Sequence, residues 1–133
     1  MTALHHAACW GRQHVVERLL SEGLDAELQD AVGGAPLHYA SFYSHLQVVE
    51  LLCKIEADIA SRDASGATAL HYAALNGTEE IFTELLVARA HVDCQTQVGL
   101  TAMHCAILGG HTDAVQWLLD AKADVHVKDG NGE

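Results

Sequence analysis

Apolar residues recur along this chain in pairs. Val15-Val16 precedes Leu19-Leu20, Val48-Val49 precedes Leu52-Cys53, Ile81-Phe82 precedes Leu85-Leu86, and Ala114-Val115 precedes Leu118-Leu119. Spacing of i, i+1, i+4 and i+5 predicts an α-helix carrying one broad apolar stripe. Ahead of each such helix stands a shorter segment. It holds Leu4, Leu37, Leu70 or Met103, then His5, His38, His71 or His104, then Ala7, Ala40, Ala73 or Ala106. Every set steps by 33 residues, as do Gly33, Gly66, Gly99 and Gly132. A fixed period of this length marks a stack of structural repeats.

Each period predicts turn, helix, turn, helix. The first helix begins near Thr2, Ala35, Thr68 and Thr101, where a threonine hydroxyl can accept a bond from an orphan backbone N–H. Pro36 fits the first turn, where its missing N–H costs nothing. Gly11, Gly77 and Gly110 end the short helix, with Ser44 in the second repeat. Neither helix can bury its stripe alone, so neighbouring repeats must stack. The expectation is a single all-α domain over residues 1–133, with repeats at about 1–29, 30–62, 63–95 and 96–128 and a further repeat opening at 129–133. The chain starts at a first helix and neither end carries a polar capping repeat. We therefore expect a piece of a longer array, fraying at both ends.

The segments Thr2-Ala3-Leu4-His5, Ala35-Pro36-Leu37-His38, Thr68-Ala69-Leu70-His71 and Thr101-Ala102-Met103-His104, with the later Lys122-Ala123-Asp124-Val125-His126, resemble the ankyrin repeat family over essentially the whole chain. The resemblance implies a solenoid of helix-turn-helix units joined by β-turn or hairpin loops, and a role in binding other proteins. It also implies a structural role for His5, His38, His71 and His104, each ring bridging the backbone of adjacent turns. There are departures. Ala35 lacks the threonine hydroxyl expected to bond His38, and only Gly23 keeps the glycine that closes the second helix, Glu56, Arg89 and Lys122 filling that slot elsewhere.

Composition agrees with packed helices: half of the chain is hydrophobic but only 5% is aromatic, so the core is built from Ala, Leu and Val. The formal net charge of -11 repels phosphate backbones and argues against nucleic acid as a partner. A protein with a basic or apolar segment suits such a surface. No stretch is long and apolar enough to span a bilayer, the N-terminal residues show neither the basic nor the apolar region of a signal peptide, and Cys9, Cys53, Cys94 and Cys105 show no CxxC. These features point to an intracellular setting, cytoplasmic or nuclear.

The chemical candidates are weak. His5, His6 and Cys9 cluster, as do His104 and Cys105, but zinc needs three or four ligands in fixed geometry and His5 is claimed by the fold. No catalytic or phosphate-binding motif appears, and neither a cofactor nor a small-molecule substrate is expected. The family's hydroxylation acceptor is an asparagine, and the matching positions hold Glu27, Ala60, Asp93 and His126. Two alternatives to a plain binding module are a recognition arm of a larger kinase, acyltransferase or ubiquitin ligase, and an oxygenase substrate.

By the resemblance, partners meet a concave face made of turn tips and the exposed side of the first helices. Register transfer places Trp10, Phe42, Tyr43, Leu75, Asn76 and Leu108 on its helical part, and Val32, Arg62 and Val98 on its turns. Trp10, Phe42 and Tyr43 should lie side by side, and Trp and Tyr favour interface hot spots. Phe42 and Leu75 suit surface and core equally. Tyr39 and Tyr72 share the register of His6 and Cys105 and are assigned to inter-repeat packing. Trp117 is expected at a partly exposed second-helix position.

Overall fold

The computed structural model describes residues 1–123. Gly132, Asp129, His126 and the segment from Asp124 onward lie outside the described residues, as does the further repeat expected at 129–133. The described residues form eight α-helices: α1 (Ala3–Cys9), α2 (Gln13–Ser21), α3 (Pro36–Phe42), α4 (Leu46–Lys54), α5 (Ala69–Asn76), α6 (Glu79–Val87), α7 (Ala102–Leu108) and α8 (Thr112–Asp120). Among the described residues there is no strand; the connections are turns. The fold is an all-α repeat. Helices α1, α3, α5 and α7 pack in sequence as one layer, and α2, α4 and α6 as a second. Phe82 of α6 meets Trp117 of α8 at a ring separation of 5.5 Å, which extends the second layer and leaves Trp117 only partly exposed.

The apolar pairs face two ways, one member toward the preceding repeat and the other toward the next. Val48 and Ile81 are fully buried, whereas Val15, with no described repeat before it, is 49% exposed. Leu119 at the opposite edge is 43% exposed, while Leu118 is fully buried. Burying such a side chain stabilises by about 1.5–3 kcal/mol, so the inner repeats carry more of the folding free energy than the outer ones.

A polar spine runs through the first-helix layer. The Nδ1 atoms of His5, His38, His71 and His104 accept the backbone N–H of Thr2, Ala35, Thr68 and Thr101 at 3.0–3.1 Å. A backbone N–H can only donate, so the neutral ring carries its proton on Nε2. From there His5 donates to the Gly34 carbonyl at 2.9 Å, His38 to Ala67 at 3.1 Å and His71 to Leu100 at 3.1 Å. The rings of His5, His38 and His71 therefore tie the start of their own helix to the turn of the next repeat. At Ala35 the hydroxyl is missing, yet the N–H bond to His38 persists at 3.0 Å.

The joints between repeats differ in their small residues. Gly11 and Gly77 face the imidazoles of His45 and His111, and a Cβ on either would come within 2.5 Å of the ring. At the middle joint Ser44 faces Thr78 instead, the two hydroxyls 3.0 Å apart. The turns form a second ladder: Ala64 N–H donates to the Val32 carbonyl at 2.9 Å and Gln97 N–H to Ser65 at 2.8 Å.

Candidate partner-binding face

Trp10 and Tyr43 sit at the C-terminal ends of α1 and α3, where the helix leaves its axis and points a side chain away from the core. Trp10 is 67% exposed, Tyr43 49% and Phe42 43%. Trp10 and Tyr43 line one groove with Cys9 and His45. Tyr43 is shared with a neighbouring cleft of about 240 Å³, whose other walls are Val32, Gly34, His38, Tyr39, Phe42, Asp63 and Tyr72. An aromatic strip thus runs from the first repeat to the third.

The rings in the cleft meet as walls, not as a stack. Phe42 lies 4.9 Å from Tyr43 at an interplanar angle of 76° and 5.4 Å from Tyr72 at 77°. Tyr39 and Tyr72 do pack between repeats, edge-on to His5 and His38, but they also line the cleft, which their register did not reveal. Their hydroxyls donate to Asp30 and Asp63. That pairing had a sequence signal: Asp30 and Tyr39, like Asp63 and Tyr72, stand nine apart, and the fourth repeat replaces both partners, with Thr96 and Cys105.

These bonds set the charge state of the site. Desolvation pulls the Asp30 and Asp63 carboxyls upward, but hydrogen bonds from Tyr39, Gly34 and Val32 to Asp30, and from Ser65, Tyr72 and Ala67 to Asp63, outweigh it. Both carboxyls are held below the usual aspartate value. Burial, and after it the bond to Asp30, pushes the Tyr39 hydroxyl up to about 12, and burial likewise raises Tyr72. The site is therefore anionic at neutral pH, with the Tyr39 and Tyr72 phenols protonated.

The other expected face residues are spread out. Val32 lines the cleft, while Val98 and Leu108 are exposed outside it. Leu75 is half-buried against the core. Arg62 is exposed, but its guanidinium is held by the carbonyls of Gly66 and Gln95, bracing one turn against the next. Gln29 makes the same brace one repeat earlier, to Gly33 at 2.9 Å and Arg62 at 2.8 Å. Asn76 donates to the Phe42 carbonyl and holds α5 to α3.

A family model described as ankyrin repeats in three copies matches residues 1–63 and 55–129. The chain belongs to the ankyrin repeat family. Ankyrin repeats generally serve as protein-protein interaction modules, and the family is typically non-catalytic. No curated protein matches this ankyrin chain. Among its described residues no helix is long and apolar enough to cross a membrane, and no three His, Cys, Asp or Glu side chains converge as a metal set.

Proposed function

We propose that this ankyrin domain is a non-catalytic module that grips a segment of a partner protein on the face formed by its first helices and turns. The observation that carries the reading is the exposed strip of Trp10, Tyr43 and Phe42 running into an aromatic cleft. Rigid aromatics bury large area with few rotors to freeze, which is why they dominate interface energetics. The surrounding charge of -11 favours a segment with basic and apolar residues. The test is capture from cell extract by the native chain and by a Trp10→Ala/Tyr43→Ala variant, followed by titration of each protein captured. Both side chains are largely exposed, so the variant should fold as the native chain does. A partner that binds the native domain and loses at least about tenfold affinity with the variant supports the site. A partner held equally by both places the interface elsewhere.

A further inference from the structure

We infer that the cleft between Phe42, Tyr43 and Tyr72 receives a methylated ammonium group, carried on a lysine side chain of the partner protein. The inference rests on the reading above that a partner segment lies along this face.

The shape comes first. A cleft of about 240 Å³ is smaller than the usual cofactor or drug-sized pocket and suits one long side chain. Phe42 meets Tyr43 and Tyr72 edge to face at near right angles, and all three rings line the cleft. Aromatic faces carry negative potential and attract cations. Asp63 lines the same cleft, and its carboxylate accepts a hydrogen bond from the hydroxyl of Tyr72, another lining residue.

The hydrogen-bonding state of that lining then selects among cations. Oδ1 of Asp63 already accepts the Ser65 N–H at 2.9 Å, the Ser65 hydroxyl at 2.6 Å and the Ala67 N–H at 3.0 Å, and Oδ2 accepts the Tyr72 hydroxyl. Both nitrogens of His38 are engaged with backbone. The cleft therefore supplies charge and π-faces while its carboxylate and imidazole acceptors are largely spent. An unmodified lysine brings three N–H donors and an arginine five, and each donor that leaves water without a partner carries a desolvation cost. Methylation keeps the charge and removes the donors, so a trimethylated lysine fits what the cleft offers.

The test uses three small probes in ¹⁵N-resolved NMR titrations of the full chain: N-acetyl-trimethyl-lysine amide, its unmethylated counterpart, and the neutral analogue with a tert-butyl group in place of trimethylammonium. Choline is a fourth. The trimethyl probe should shift resonances of Gly34, Asp63 and the cleft aromatics, and bind about tenfold tighter than the neutral and unmethylated probes. Tyr43→Ala, at an exposed position, and Phe42→Leu should each abolish that preference with the circular dichroism unchanged. Equal binding of the neutral analogue would show a merely apolar pocket, and equal binding of unmethylated lysine would show free acceptors; either overturns the inference, as does an absence of shifts in the cleft. Choline binding as tightly as the lysine probe overturns the assignment to a side chain. A partner that docks on the Trp10-Tyr43 face with an affinity indifferent to lysine methylation overturns this inference alone and leaves the proposed function standing.

Discussion

Four positions in one register end the second helices: Gly23, Glu56, Arg89 and Lys122, with φ of 89°, 60°, 69° and 63°. In that left-handed region the Cβ of an L-residue crowds its own carbonyl, at a cost of about 1–2 kcal/mol. Glu56→Gly and Arg89→Gly remove that cost. Against it, a new glycine enlarges the unfolded ensemble, which costs about 0.4–1 kcal/mol. The two side chains are exposed, and the ion pairs found among the described residues, His14–Glu17 and Arg18–Glu22, involve neither. Each substitution should therefore stabilise the domain by about 0.5–1 kcal/mol, raising Tm by about 2–5 °C. Gly23→Ala is the reciprocal change. A Cβ there meets nothing within 4 Å, so only the backbone penalty acts, and a loss of similar size is expected. Urea unfolding followed by circular dichroism and by tryptophan fluorescence measures all three. Trp10 and Trp117 lie in the first and fourth repeats, so single-tryptophan versions show whether both ends melt together. Changes of the same sign for Glu56→Gly and Gly23→Ala would refute the reasoning, because then the side chain and not the backbone would set the effect.

Two further expectations concern the interior. Ser41 is fully buried and its hydroxyl has no hydrogen-bond partner among the described residues, while Ala8 and Ala74 fill the same register; Ser41→Ala should stabilise by about 1 kcal/mol in urea unfolding, and a loss would mean that the hydroxyl is satisfied after all. Burial lowers the pKa of His71 below its ordinary 6.5. The unfolded chain thus takes up the proton first, so the His71 contribution is fully present above pH 6.5 and is lost as pH falls toward the folded-state value. The aspartates act in a lower window, below 3.8. Unfolding midpoints that hold constant or rise on acidification through the histidine range would contradict the neutral, doubly bonded ring.

The period was legible because one set of physical demands recurs at every joint. A capped start, an imidazole reaching the next turn and an apolar pair facing two neighbours leave the same residue types 33 apart. The direction in which each apolar residue points was not legible, since Val15 and Val48 look alike in sequence and differ only in having a neighbour. At the candidate face, exposed Trp10 and Tyr43 could be read from register, because the end of the first helix projects there in both repeats, whereas Asn76 in the same register turns back to the Phe42 carbonyl. Tyr39 and Tyr72 could not, because one residue type serves two surfaces at once, edge-on to a histidine and lining the cleft. Arg62 shows the converse. Its place on a turn tip made it a candidate contact for a partner, and the structure adds a second role that register did not show, since the carbonyls of Gly66 and Gln95 take two of its donors while the side chain stays exposed.

The alternation of joints has a consequence for how such an array can be edited. A repeat removed or duplicated in frame keeps the histidine spine, since every ring seeks a carbonyl at the same offset. The small-residue contacts do not transfer. Excising the third repeat would bring Ser44 against His111, where even the Cβ of Gly77's substitute would fall within 2.5 Å of the ring. Excising the second would set Gly11 against Thr78, a shorter side chain than the imidazole of His45 that fills the space now. Removing the second and third repeats together would instead set Gly11 against His111, the same glycine–histidine joint as before, so the array is edited without a mismatch by pairs of repeats and not by single ones.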